Sequence, residues 1–156
     1  MSGDLGHAEW LKRAETQAIL AALDGDRRRT RAVGGVVRDT LMGRQHAGDI
    51  DMATELLPDE VMARAKAAGI AAHPTGIDHG TVTLKLGETL AEVTTLRRDV
   101  ETDGRHAVVA FGTDWVKDAR RRDFTLNALY CAADGTLYDP LGGAEDARNG
   151  RVRFIG

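Results

Sequence analysis

Two strand-like runs, Thr81-Val82-Thr83-Leu84-Lys85-Leu86 and Leu90-Ala91-Glu92-Val93-Thr94-Thr95-Leu96, are separated only by Gly87-Glu88-Thr89. Extended segments this close in sequence pair as a hairpin, so at least part of the sheet is antiparallel. That excludes a purely parallel, doubly wound architecture. Helical patterns elsewhere complete the expectation: an α+β domain with helices packed on a mixed sheet.

Residues 8–23 carry apolar residues at Ala8, Leu11, Ala14, Ala18, Ile19 and Ala22, which predicts one amphipathic helix ending near Gly25. Residues 31–33 read as a short strand broken by Gly34-Gly35, followed by a helix from Val36 to Met42 stopped by Gly43. Pro58 suits the first turn of a helix over 58–68, with Gly69 as its stop. Residues 97–113 show little periodicity and read as a loop. Asp114 is a cap for a helix from Trp115 to Arg121, a second hairpin turns at Asp134-Gly135, and 143–149 form a short helix.

Composition narrows the class. At 156 residues, 42% apolar and 29% charged, the chain reads as one globular domain able to bury a core. The single cysteine, Cys131, allows no internal disulfide and sits in an apolar stretch, which suits a buried thiol. With no export signal visible, the expected setting is cytoplasmic, with no membrane partner. A net charge of −3 gives no overall attraction for nucleic acid, so any such contact must come from local arginine clusters such as 27–31 and 120–122.

Four constellations could carry chemistry. Asp49-Ile50-Asp51-Met52-Ala53 alternates, which puts both aspartates on one strand face and Ile50 and Met52 on the other. Two adjacent carboxylates repel unless a cation lies between them, and magnesium takes such hard oxygen ligands. Solvated aspartates on a strand edge fit the same pattern. Gly34-Gly35, between a strand and a helix start, lets backbone approach phosphate oxygens, with Arg38 one turn in; a plain tight turn with Arg38 paired to Asp39 fits too. Glu92 could bring a third carboxylate, with Thr94 on the same face, or simply face solvent. The run Arg120-Arg121-Arg122-Asp123-Phe124-Thr125-Leu126-Asn127 joins cations, an acid and an amide as nucleotide binding requires, and Arg120 reads as a surface charge. His46, His73, His79 and His106 lack the spacing of a zinc site and read as structural or loop residues.

The order of these motifs carries more than any one of them. Val33-Gly34-Gly35-Val36-Val37-Arg38-Asp39, Asp49-Ile50-Asp51, Glu92-Val93-Thr94-Thr95-Leu96-Arg97, Asp103-Gly104-Arg105, Arg121-Arg122-Asp123-Phe124-Thr125-Leu126-Asn127-Ala128-Leu129 and Asp139-Pro140-Leu141-Gly142-Gly143 follow one another over residues 30–156. The chain thereby resembles the head domain of the class II tRNA nucleotidyltransferase and bacterial poly(A) polymerase family. The resemblance implies a polymerase-β-like nucleotidyltransferase fold spanning 1–156, with 1–25 an N-terminal helix. It implies a two-metal Mg2+ site on Asp49, Asp51 and Glu92. Gly34, Gly35 and Arg38 would hold the triphosphate, and Arg122, Asp123 and Asn127 the nucleotide. Asp103, Gly104 and Arg105 would belong to a flexible loop.

The implied activity is template-independent transfer from CTP and ATP to a tRNA 3′ end. Poly(A) addition to RNA is the alternative enzyme, and a non-catalytic nucleotide- or RNA-binding module the alternative from another class. In the family a neck domain follows the head and body and tail domains follow the neck; none is expected within this chain, which reads as the catalytic head alone.

Overall fold

Residues 50–54 lie at the centre of the sheet, with Ile50 and Met52 buried on one face and, on the other, Asp51 exposed and Ala53 covered. The computed structural model describes residues 5–45, 48–76, 80–98, 110–153 and 155. The main strands are β1 (Thr30–Val33), β2 (Ile50–Thr54), β3 (Ala71–Gly76), β4 (Thr81–Leu86), β5 (Thr89–Thr95), β8 (Tyr130–Cys131) and β9 (Leu137–Tyr138). Among the described residues they form one sheet in the order β3-β4-β5-β2-β1-β8-β9. Only β2 and β5 run parallel; every other neighbouring pair is antiparallel. A further antiparallel pair, β6 (Arg97–Arg98) and β7 (Ala110–Phe111), stands apart from it.

The helices are α1 (Glu9–Lys12), α2 (Ala14–Ala22), α3 (Gly35–Leu41), α4 (Pro58–Ala67), α5 (Trp115–Arg120) and α6 (Gly143–Arg148). All but α5 contribute to one apolar cluster against Ala32, Ile50, Met52, Val82, Leu84, Ala91, Val93 and Cys131. Each large apolar side chain buried there contributes about 1.5–3 kcal/mol. Among the described residues the opposite face is covered from Ala53 of β2 across β1 to β8, where Ala119 of α5 meets Val33, Ala53, Ala128 and Tyr130 and Trp115 packs alongside. Toward β5 that face stays open, and there Asp51 and Glu92 are exposed. No described helix is long and apolar enough to cross a membrane.

The hairpin β4–β5, the helix from Pro58 and the Asp114 cap lie where the sequence predicts them; the Asp114 carboxylate accepts from the amides of Val116 and Lys117 at 3.0 and 3.1 Å. Three expectations need correction. The helix expected over 8–23 breaks at Arg13, whose ψ of 132° is extended. On an unbroken helix Trp10 and Ile19 would point to opposite sides, yet both are buried, at 6% and 0% exposure. The break lets each face the core. Gly25 opens a 3-10 turn (Gly25–Arg27) instead of stopping the helix. The loop expected over 97–113 contains the β6–β7 pair. In addition, β3 has no counterpart among the sequence-based strands. It is a largely exposed edge strand containing Pro74, a residue edges tolerate.

Gly25 marks where the N-terminal helices turn onto β1. A Cβ there would lie 2.7 Å from the Leu20 carbonyl oxygen and 2.9 Å from Leu20 Cβ. Gly25→Ala is therefore expected to destabilise the domain by about 1–3 kcal/mol. The check is a lower urea midpoint at unchanged slope.

Candidate active site

Parallel pairing of β2 with β5 sets Asp51 beside Glu92, flanked by Ile50 beside Ala91 and Met52 beside Val93. The apolar pairs go into the core, so the two carboxylates share the open face. Asp49 lies just before β2 and on the same side by alternation. Glu92 feels all of this: burial, then the charge of Asp51, a hydrogen bond with Asp51 and the charge of Asp49 hold its carboxyl above the usual range. Among the described residues no three His, Cys, Asp or Glu side chains close into a ready-made cage for a metal ion. The donor set nonetheless fits magnesium, which commonly takes one or two carboxylates and completes its shell with water and substrate phosphate.

The glycine bend abuts these acids. Antiparallel pairing places Ala32 opposite Met52. The pairing ends there, one residue from Asp51 on β2 and two residues before Gly34 on β1. Gly34 adopts φ 75° and ψ −128°, which side chains strongly disfavour. Its N–H donates to the Leu129 carbonyl at 3.0 Å and its carbonyl accepts from the Arg38 amide at 2.9 Å. Gly35 then opens α3. The Arg38 guanidinium bonds Asp39 Oδ1 at 3.2 Å and Asn127 Oδ1 at 3.4 Å. Asn127 in turn donates to Asp123 Oδ1 at 3.0 Å. That bond, with the Phe124 amide, holds the Asp123 carboxyl below its ordinary range. Arg38, Asn127 and Asp123 thus form one chain beside the bend.

Arg122 is bound differently. It turns toward Asp118 and Tyr130, donating from Nη2 to Asp118 Oδ2 at 3.1 Å and from Nε to the Tyr130 hydroxyl at 3.4 Å. Asp118, fully buried on α5, also accepts from Tyr130 Oη at 2.8 Å, Arg121 Nε at 3.0 Å and the Arg97 amide at 3.2 Å. Burial alone would raise the Asp118 carboxyl, but Arg122, Arg121, Tyr130 and the Arg97 amide bring it below the usual range. The sequence gives a signal for this hub in retrospect: Asp118 stands three and four residues before Arg121 and Arg122, the spacing of helical neighbours. Nearby, Arg31 lies between the rings of Trp115 and Tyr138, at 4.4 and 4.8 Å from their centroids, and Trp115 donates to Glu55 at 2.8 Å.

Two other expectations find structural context. Cys131 is fully buried. The Asp139 carboxylate accepts from the amides of Gly143 and Ala144 at the start of α6, and Asp146 of that helix accepts from Thr125 Oγ1 at 2.6 Å. The tail motif thereby braces the turn that carries Asn127. Asp103, Gly104 and Arg105 lie outside the described residues, as do His46, His79 and His106; His73 is exposed on β3.

Two measurements test this geometry. The nearest atom to a Cβ on Gly34 would be 3.9 Å away, so Gly34→Ala meets no overlap and its cost is backbone strain alone. The expected loss is about 1–3 kcal/mol, read from the urea midpoint. For Asp118, a folded pKa below the unfolded one means its stabilisation is complete above about pH 4 and drains away as pH falls through the folded value. A urea midpoint that stays level from pH 4 to pH 2 contradicts the pairing.

Comparison with known proteins identifies the family and the fold. The family model of the poly A polymerase head domain covers residues 30–153. The chain is 50% identical over 127 residues to the mitochondrial CCA tRNA nucleotidyltransferase 1 of Danio rerio, covering 81% of this chain and 29% of that protein. It is 43% identical over 130 residues to the CCA-adding enzyme of Geobacillus thermodenitrificans, covering 80% and 30%. Among solved structures, the Bacillus stearothermophilus CCA-adding enzyme in complex with CTP superposes with a TM-score of 0.74 at 35% identity, covering 92% of this chain and 34% of that one. A tRNA nucleotidyltransferase complexed with a primer tRNA and an incoming ATP analog gives 0.65 at 30% identity, covering 86% and 38%. The chain thus spans about a third of the length of these relatives. Its mixed sheet with flanking helices is the polymerase-β-like nucleotidyltransferase fold, and the chain belongs to the poly A polymerase head-domain family, which it shares with the CCA-adding enzymes.

Proposed function

We propose that this chain is the catalytic head of an enzyme that adds nucleotides from CTP and ATP to the 3′ end of tRNA without a template. The observation that carries the reading is the pairing of Asp51 with Glu92 on the open sheet face, on a strand that pairs with β1 up to Ala32, two residues before the Gly34 bend. Likeness to a CCA-adding enzyme solved with CTP, and to a nucleotidyltransferase solved with primer tRNA and an ATP analog, supports the substrates.

In this reading the RNA 3′-hydroxyl oxygen attacks the α-phosphorus, a new P–O bond forms, and the bond to the β-phosphate oxygen breaks to release pyrophosphate. Asp49 and Asp51 would hold Mg2+, with Glu92 as the neighbouring carboxylate; bound there, the ion would supply charge that lowers the hydroxyl's pKa and neutralises the leaving oxygen. The backbone at Gly34 and Gly35 admits the triphosphate close to the strand end, where no side chain intervenes. Arg38 contributes a cation for phosphate oxygens, held in place by Asp39 and Asn127. Asp123 and Asn127 present acceptors and donors to the nucleotide, and Arg122 a guanidinium. Glu92 completes the acidic face, and Thr94, bonded to Thr81 at 2.9 Å, borders it.

Asp49→Ala and Asp51→Ala in the full-length protein are each expected to cut incorporation by about 100- to 1000-fold or more, the scale of losing a main electrostatic element of a site. Their circular dichroism and unfolding midpoints should remain near wild type, since neither side chain is buried. Near-normal incorporation by either variant rejects the metal role. Product sequencing then separates the activities: a CCA terminus supports the reading, whereas a long run of A residues identifies poly(A) addition.

A further inference from the structure

We propose that Asp118 is a positioning residue of the nucleotide site, fixing Arg122 in the orientation in which it meets the substrate. The inference rests on the reading above that Arg122 contacts the nucleotide. A buried ion pair is weak evidence for a purely structural role. A buried carboxylate is costly to desolvate, and an apolar residue of similar size often serves as well or better. The position holds an aspartate with no exposed surface.

What the carboxylate does is tie together three parts of the fold. Oδ1 accepts from Arg121 Nε at 3.0 Å and from the Arg97 amide at 3.2 Å, joining α5 to β6. Oδ2 accepts from Arg122 Nη2 at 3.1 Å and Tyr130 Oη at 2.8 Å, joining α5 to β8. Tyr130 closes the triangle by accepting from Arg122 Nε at 3.4 Å, with the guanidinium carbon 5.7 Å from its ring centroid. Two contacts on one side of a planar group fix its orientation. These two contacts engage Nε and Nη2.

The reference frame is the decisive part. Tyr130 pairs in register with Val33, the residue just before the Gly34 bend. Arg122 is followed at once by Asp123, which belongs to the chain that ends on Arg38. Asp118 therefore aligns Arg122 to the same strand end that sets the bend and the adjoining acids. Without it, Arg122 and Arg121 lose their shared anchor, and the guanidinium can swing on its long stem.

The test is a double-mutant cycle in the full-length protein, read as kcat and KM for nucleotide incorporation into tRNA lacking its 3′ end, with unfolding midpoints measured in parallel. Misplacing a substrate-positioning group is expected to lower kcat/KM by on the order of 100-fold in Asp118→Asn. In Arg122→Ala the loss should be similar, and the double variant should be no worse than Arg122→Ala alone, because the two residues act as one unit. Tyr130→Phe, which keeps the buried ion pair, should fold and lose a few-fold; it carries the test if Asp118→Asn does not fold. Wild-type kinetics in Tyr130→Phe and in folded Asp118→Asn overturn the proposal, as do independent losses that multiply in the double variant. Wild-type kinetics in Arg122→Ala instead overturn the assignment of Arg122 to the nucleotide, and the positioning role with it.

Discussion

The single parallel pairing in the sheet, β2 against β5, is the constraint on which the rest depends. Side chains alternate along a strand, so a slip of one residue in this register would turn Ile50 and Met52 outward and drive Asp51 into the core. Burial of Ile50, Met52, Ala91 and Val93 against the helices forbids that slip. The hydrophobic core thus acts as the gauge that holds Asp51 opposite Glu92. The β4–β5 hairpin adds a second lock, since Val82 pairs with Val93 and Leu84 with Ala91, all buried.

The two faces of the sheet divide the work. One is packed by helices and supplies stability. The other, among the described residues, is open at Asp51 and Glu92 and covered by α5 from Ala53 across β1 and β8. The change from open to covered falls on β2, between Asp51 and Ala53. Residues distant in sequence converge because β1 is central and touches both β2 and β8.

Most of this frame was legible in the sequence because it rests on local signals. Alternation at 49–53 and 81–86, the glycines at 34, 43, 69 and 87, Pro58 and the Asp114 cap each specify geometry within a few residues. The parts that were not legible depend on tertiary context. The break at Arg13 exists because Trp10 and Ile19 must both reach the core, which no local propensity reports. β3 has neither alternation nor β-branched enrichment, and forms because β4 offers it an edge. The site divides the same way. The motifs locate Asp49, Asp51, Glu92, Gly34 and Arg38, but a reading that groups Arg122 with Asp123 and Asn127 misses that Arg122 turns inward to Asp118. Pairing within α5 was available from spacing; the contribution of Tyr130 and the Arg97 amide was not.

Asp118 and the Asp49–Asp51–Glu92 group show two responses to the same electrostatic problem. Asp118 is taken out of water entirely, and its anion is stabilised by donors from Arg121, Arg122, Tyr130 and the Arg97 backbone. Its cost is met inside the protein, so it needs nothing further and serves to hold other groups. Asp51 and Glu92 instead stay on the open face, near Asp49; after burial, repulsion by Asp51, with a hydrogen bond to it, and by Asp49 holds the Glu92 carboxyl above its usual range. A divalent cation at that point would relieve that repulsion and gain more than at an isolated aspartate, because one ion offsets several unfavourable pairs. An acidic group held together by an apolar core beneath it thus suits a cation in a way that a surface pair free to separate does not, and this is the physical argument behind the proposal that the open face takes metal and triphosphate.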